Sequence, residues 1–361
     1  MGQRGRQGQR TLLAVAGLGW LAYKVLQWGR QENLYGQVVL IIGGSRGLGL
    51  ALAREFARVG CRLVLAARDA QELARARQDL AQRGAEILAV PCDVTDQEQV
   101  RSLVDQATQR FGRVDIVVNN AGIIQVGPMS TTTVEDFANA LDVMFWGTLY
   151  PTLAVLPQMR ARRSGHVVNI TSIGGMVSVP HLLPYSCAKF AAVGLSEGLR
   201  AELGQEGIHV TTVVPSLMRT GSYVWAHFQG QQEHEFTWFA LGSTLPLISI
   251  SAERAARQVV RATQRGAAEC ILSLPANILG RMHRLCPGTT ANLLSVVNRF
   301  LPGAEGAPAA STSGMEVQQR LRSPLLHMLT GLGRAAAHRL HQYTHIGTAP
   351  ALSPPAQRHH P

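Results

Sequence analysis

Cysteine is scarce in this sequence and never clustered. Cys61, Cys92, Cys187, Cys270 and Cys286 make five in 361 residues, an odd number with no CxxC pair and no Cys/His grouping. That spacing argues against a disulfide framework and against a zinc site, and a reducing compartment is the simpler setting. No metal site is expected, since the terminal His359 and His360 also lack ligand spacing. Aromatic residues are few, 6% of the chain, and nowhere interleave with basic residues in a patch, so no nucleic-acid surface is expected. Acidic residues are outnumbered, 23 against 34 lysines and arginines, for a formal charge of +11. The excess is spread along the chain. It includes Arg4, Arg6 and Arg10 at the front and Arg320, Arg322, Arg334 and Arg339 behind, flanks that could touch a membrane surface. A repeat of solenoid period is also lacking.

Long apolar runs are scarce too. Thr11 to Trp28 (TLLAVAGLGWLAYKVLQW) spans eighteen residues broken only by Lys24 and Gln27, a borderline length for a membrane span. Trp20, Tyr23, Lys24 and Trp28 gather toward one end, where amphipathic rings and a snorkelling lysine suit the headgroup region. A cleaved signal peptide and a helix packed on the protein's own surface are the alternatives. The expectation is an uncleaved anchor, giving a membrane-associated protein whose catalytic domain faces the cytoplasm.

What is present, from Gly36 onward, is alternation. Short β-branched runs, Val38 to Ile42, Leu63 to Ala66, Ile87 to Val90, Ile116 to Val118, Val167 to Ile170 and Val210 to Val214, read as buried parallel strands. Between them Leu50 to Val59, Ala70 to Arg83, Gln97 to Phe111, Val134 to Gln158 and Ser186 to Gly204 carry helical spacing. The predicted fold class is α/β, a Rossmann-type doubly wound parallel sheet over residues 36–265. It stands as a single domain after a basic, hydrophobic N-terminus (1–35) and before a C-terminal extension (266–301). Residues 302–361, rich in Gly, Ala, Pro, Ser and Arg, predict a low-complexity and largely disordered tail apart from a helix near Ser323 to His341. Glu235 to Ile250 is unusually apolar for a connection and predicts either a lid over a greasy substrate or a lipid contact.

The first strand runs into Gly43-Gly44-Ser45-Arg46-Gly47-Leu48-Gly49 and then into a helix. Glycines allow the tight turn and close approach of a pyrophosphate, and the helix start offers unpaired N–H donors. Gly43, Ser45, Arg46, Gly47, Leu48 and Gly49 are therefore cofactor-binding candidates. Arg46 in the turn and Arg68 after the second strand would welcome a 2'-phosphate, favouring NADP(H) over NAD(H); Asp69, one place later, keeps NAD(H) open. Each arginine could equally be a solvated surface charge.

Tyr185 and Lys189, four apart at a helix start, share a face, and Ser172 follows the strand Val167 to Ile170. One titratable hydroxyl can give a proton to an alkoxide or take one from an alcohol. A tyrosine titrates near 10 unaided, and a neighbouring ammonium would lower that value. Ser172 would hold the substrate oxygen beside Tyr185. A YxxxK spacing alone is usually a helix face, so its weight rests on what accompanies it.

VVLIIGGSRGLG (38–49), CDVTD (92–96), NNAG (119–122), Ser172, YSCAK (185–189) and PSLMRT (215–220), in this order, resemble the short-chain dehydrogenase/reductase family over about Gly36 to Arg265. The resemblance implies a nicotinamide cofactor, Ser172/Tyr185/Lys189 chemistry and a homo-oligomer. It also implies adenine contacts at Asp93 and Val94, Asn120 alongside the cofactor, Lys189 on the nicotinamide ribose and Thr220 at the carboxamide. Three positions depart from the pattern: Ile42 for threonine, Ser216 for glycine, and Met144 for an asparagine that helps fix a proton-relay water. A thioether cannot replace that amide's hydrogen bonds. Two functions follow as expectations. One is an NADP(H)-dependent oxidoreductase of small lipophilic carbonyls or alcohols; the other is a dinucleotide-binding regulator or scaffold with impaired catalysis.

Overall fold

The computed structural model describes residues 31–246, 248–303, 310–321 and 323–343. The apolar run 11–28 lies outside them, and among the described residues no helix is long and apolar enough to cross a membrane.

Seven strands form the central sheet: β1 Val38–Ile42, β2 Arg62–Ala67, β3 Ile87–Pro91, β4 Ile116–Asn119, β5 Gly165–Ile170, β6 Ile208–Val214 and β7 Glu269–Ile271. All pair in parallel, in the order β3-β2-β1-β4-β5-β6-β7. This is the predicted doubly wound order, which reverses between β1 and β4 and opens a crevice at their carboxyl ends. The helices in chain order are α1 Gly47–Arg58, α2 Ala70–Gln82, α3 Gln97–Phe111, α4 Val134–Leu141, α5 Gly147–Arg162, α6 Leu183–Leu203, α7 Gln232–Thr244 and α8 Ala252–Gln264. After β7 come α9 Leu274–Leu285, α10 Pro287–Asn298, α11 Gly314–Arg320, α12 Pro324–Leu329 and α13 Gly331–Arg339.

Strand periodicity divides the core. Val39 and Ile41 of β1 join Leu52 of α1, Leu73 of α2 and Val259 of α8 on one face. Val38, Leu40 and Ile42 join Val104 of α3, Leu156 of α5 and Leu203 of α6 on the other. Because both faces are covered, β1 is apolar at every position.

The structure departs from the sequence reading in four places. The sheet continues past Arg265, because β7 pairs with β6 through Glu269–Thr212 to Ile271–Val214; three residues are too few to show a strand pattern. The predicted helix Val134 to Gln158 has a five-residue π-turn, Asp142–Trp146, between α4 and α5. Its closing bond runs from the Gly147 N–H to the Asp142 carbonyl, and Pro151 then leaves the Gly147 carbonyl without its usual partner. Glu235 to Ile250 is mostly α7, whose Phe236, Phe239 and Ala240 are buried with Tyr223, Phe228 and Val317. Its apolar character thus has an internal partner.

The fourth departure is the largest. Residues 310–343, expected to be disordered apart from a helix near Ser323 to His341, form a packed arm whose helical part is divided in two, Pro324–Leu329 and Gly331–Arg339. Thr312–Ser313 pairs antiparallel with His227–Phe228, and Ser313 and Ser323 cap α11 and α12 by accepting from the Glu316 and Leu326 N–H groups. Val317, Ala336, Ala337 and Leu340 are buried, Leu340 within the main core. Composition hid this because small residues can pack closely when another surface supplies the apolar partner.

Candidate functional site

The glycine turn closes on itself before any ligand is considered. A Cβ on Gly49 would lie 1.9 Å from the Gly43 carbonyl oxygen, so only glycine permits α1 to start this close to the strand end. Asn120 Nδ2 donates to the same carbonyl at 2.9 Å, tying the NNAG segment to the turn. Leu48 is buried at 7% exposure and Ser45 at 3%.

The arm that follows β2 reaches back to this turn. Glu72, in the first turn of α2, accepts from the Ser45 hydroxyl at 2.9 Å and pairs with Arg46 at 2.9 Å. Trp225 lies on the other side of Arg46, its ring centroid 3.9 Å from the guanidinium carbon. Arg46 and Arg68 are near enough to repel each other, and Arg68 is exposed. Asp69 is committed locally, since its carboxylate caps α2 by accepting from the Gln71 and Glu72 N–H groups. Asp93 folds back on its own turn, Oδ1 accepting from the Thr95 N–H and hydroxyl, while Val94 is buried against Gly147.

The three expected catalytic side chains converge. Ser172 follows β5 and accepts from the Gly174 N–H at 3.0 Å. Tyr185 lies in the first turn of α6, with Lys189 one turn on and its Nζ 5.9 Å from the Tyr185 ring centroid. Lys189 is buried and donates to the Ile170 carbonyl at 2.8 Å. The chain's cations are otherwise almost all arginine, Lys24 being the one other lysine. An arginine could not serve here, because its guanidinium neither fits a single point nor gives up a proton. Burial governs the electrostatics. It pushes the Tyr185 hydroxyl upward, against a downward pull from the Ser172 hydrogen bond, and lowers the Lys189 ammonium to about 8. Burial and the Ser172 hydrogen bond, not the expected pull of Lys189, govern Tyr185 here. Thr220 is buried at 3% exposure, and its hydroxyl accepts from the Ser222 N–H.

Met144 occupies the middle of the π-turn, fully buried in a cluster with Ala140 and Ala188 against which Ile123 and Tyr185 pack. Gly122 lies between it and the ammonium: a Cβ there would stand 3.7 Å from Met144 Sδ and 3.9 Å from Lys189 Nζ. The thioether thus presents an apolar wall beside the acid-base pair.

Sequence reasoning missed several residues. Behind the site, Asn119 Nδ2 donates to Asn169 Oδ1 (2.8 Å) and to the Thr152 hydroxyl, and Asn169 Nδ2 donates to Ser196 Oγ, which also accepts from Thr212. This buried chain crosses β4, β5 and β6. His181, at φ 62°, is held by Glu235, whose other oxygen accepts from the Trp238 indole. His181 lines a mostly apolar cavity of about 420 Å³ with Pro128, Val177, Leu183, His283 and Leu294. Asn119 falls in the NNAG segment and Glu235 and Trp238 in the apolar run 235–250, but no local pattern announces the partners they meet.

The residues present suit a dinucleotide: helix-start amides, a converging pair of arginines, and a hydroxyl pair next to a buried amine. A family model described as short chain dehydrogenase matches residues 37–226. The dehydrogenase/reductase SDR family protein 7-like of Anopheles gambiae is 35% identical over 219 residues, 58% of this chain and 69% of that protein. SadH of Mycobacterium tuberculosis is 31% identical over 278 residues, covering 76% of this chain and 100% of the relative. Among solved structures, a short chain dehydrogenase/reductase from Burkholderia phymatum in complex with NAD superposes with a TM-score of 0.64 at 26% identity, over 70% of this chain and 94% of that one. With its doubly wound sheet, glycine turn and Ser172, Tyr185 and Lys189 in place, this chain belongs to the short-chain dehydrogenase/reductase family of nicotinamide-dependent oxidoreductases.

Proposed function

We propose that the chain is an NADP(H)-dependent oxidoreductase acting on the carbonyl or alcohol of a lipophilic substrate. The observation that carries this reading is the convergence of Ser172, Tyr185 and Lys189 beside the glycine turn. When bound, the nicotinamide supplies or takes up hydride. Ser172 holds the substrate oxygen, and Tyr185 gives it a proton in reduction or removes one in oxidation. Lys189 holds the cofactor ribose and lends positive charge to the Tyr185 phenolate once a ligand separates it from Ile170. NADP(H) is favoured by Arg46 in the glycine turn and Arg68 at the end of β2, and by the commitment of Asp69 to capping α2. The apolar cavity beside His181 suits a greasy substrate. Membrane attachment through 11–28, with this domain on the cytoplasmic side, fits the same substrate class.

A second reading, a dinucleotide-binding regulator, is favoured only by Met144 next to Lys189. The deciding experiment measures NADPH and NADH binding by fluorescence, then oxidation of the tighter cofactor by a panel of lipophilic ketones and aldehydes. Tighter NADPH binding with turnover is expected. Arg68→Asp should weaken NADPH more than NADH. Tight binding without turnover in either direction would leave the regulator.

A further inference from the structure

The hairpin α9–α10 turns apolar side chains outward. On α9, Leu274, Ile278, Met282 and Leu285 recur at intervals of four, four and three and are 74%, 51%, 50% and 82% exposed, so they form one stripe. On α10 and just beyond it, Val296 and Phe300 are 47% and 84% exposed. Isolated apolar residues are ordinary on a surface, whereas a continuous stripe marks an interaction site. Charge indicates the partner. From Ile271 to Gly303 the sequence contains no aspartate or glutamate, while Arg281 on α9 and Arg299 just after α10 are exposed. Under the hairpin, His283 and Leu294 line the apolar cavity.

We propose that α9–α10 docks on an anionic phospholipid leaflet, with the stripe in the interfacial region, Arg281 and Arg299 against headgroups, and the cavity beneath close to the lipid. A second copy meeting this face through a two-fold axis would bring like charges together. The inference does not depend on which cofactor or substrate the site takes.

The test is co-sedimentation of the full chain with phosphatidylcholine vesicles, with and without phosphatidylglycerol. Leu285→Asp combined with Phe300→Asp, both at highly exposed positions, should weaken binding to the anionic vesicles roughly tenfold or more. Cys286 at the hairpin apex is exposed. An environment-sensitive dye there, in a Cys187→Ser background, should shift to the blue on adding anionic vesicles. Parent-like binding by the double variant, or no dye shift, would overturn the proposal and leave any binding to residues 11–28. A stable dimer that protects Cys286 from the dye would overturn it in favour of a second copy.

The C-terminal arm independently carries a second inference. The Leu340 carbonyl accepts from the Gly47 N–H at 2.9 Å, the first amide of α1. Arg54 Nη1 donates to the Arg339 carbonyl at 2.9 Å and Trp225 Nε1 to the Gln342 carbonyl at 2.7 Å. A Cβ on Gly47 would stand 2.6 Å from Gln342 Nε2, and one on Gly221, next to Thr220, 2.3 Å from Ala337 Cβ. Residues 331–343 thus cover both ends of the expected cofactor path. A pyrophosphate needs free amides at this helix start and is repelled by a carbonyl oxygen held there.

We infer that residues 331–343 are an intramolecular competitor of the dinucleotide, a reading that rests on the glycine turn being the cofactor site. Stopped-flow NADPH binding compares the parent with Leu340→Asp and, since Leu340 is a core residue, with Arg339→Glu, an exposed position where a carboxylate would be set against Glu253. Displacing the arm should tighten binding and speed association by roughly tenfold, the loss of about one capping bond. Saturating NADPH should raise hydrogen exchange of 331–343 in the parent. Unchanged or weaker binding in both variants, with the arm better protected by NADPH, would overturn competition and make the arm a clamp. If neither parent nor variants bind NADPH or NADH, the cofactor reading falls, and this inference with it.

Discussion

At the scale of single residues, Tyr185 and Lys189 are poised against their own solvation. Tyr185→Phe removes the proton donor and leaves the ring, so turnover should fall by about 10²- to 10⁴-fold while NADPH affinity stays near the parent value. A variant that turns over like the parent would refute the acid-base assignment. Lys189 carries a stability cost that can be measured separately. Its folded-state pKa of about 8 lies below the ordinary 10.5, so the unfolded chain binds more protons between those values and stability should rise with pH across that window. At pH 7 the buried charge costs on the order of 3 kcal/mol. Lys189→Met should therefore stabilise the ligand-free chain by about 1–2 kcal/mol after the lost bond to Ile170. Urea midpoints should show that gain at pH 7 and a smaller one at pH 9.5; an equal gain at both would mean that folding does not depress the Lys189 ammonium.

Individual elements show where local pattern and tertiary packing part. The segment 38–49 was legible because strand, turn and helix start are consecutive in sequence and Gly49 answers to the carbonyl of Gly43 within the same turn. Tyr185 and Lys189 were legible as one helix face. The π-turn was not, since a five-residue bulge leaves the helical apolar spacing on either side intact. Within it Met144 is fully buried among apolar neighbours. Met144→Asn should lower stability by about 1–3 kcal/mol, because the amide would have to be buried without assured partners. Met144→Leu should cost less than about 1.5 kcal/mol. Urea denaturation of the two variants checks this, and a neutral Met144→Asn would reveal a waiting hydrogen-bond partner.

For the whole molecule, the chain Asn119–Asn169–Ser196–Thr212 ties three strands and α6 together behind the site. Asn169→Leu would strand donors and acceptors on both sides, and a loss of about 2–4 kcal/mol is expected in chemical denaturation. A loss below about 0.5 kcal/mol would mean that water replaces the side chain.

The sequence alone determined the strand-helix alternation, the glycine turn and the Ser172, Tyr185 and Lys189 set, because each depends on sterics or spacing within a few residues. Tertiary structure alone decided that Glu72 and Trp225 enclose Arg46, that residues 310–343 pack as an arm although their tail is rich in Gly, Ala, Pro, Ser and Arg, and that Leu340 meets Gly47. Those contacts join residues from 26 to 293 positions apart. No periodicity connects such positions, and only the completed sheet supplies the surfaces on which they meet.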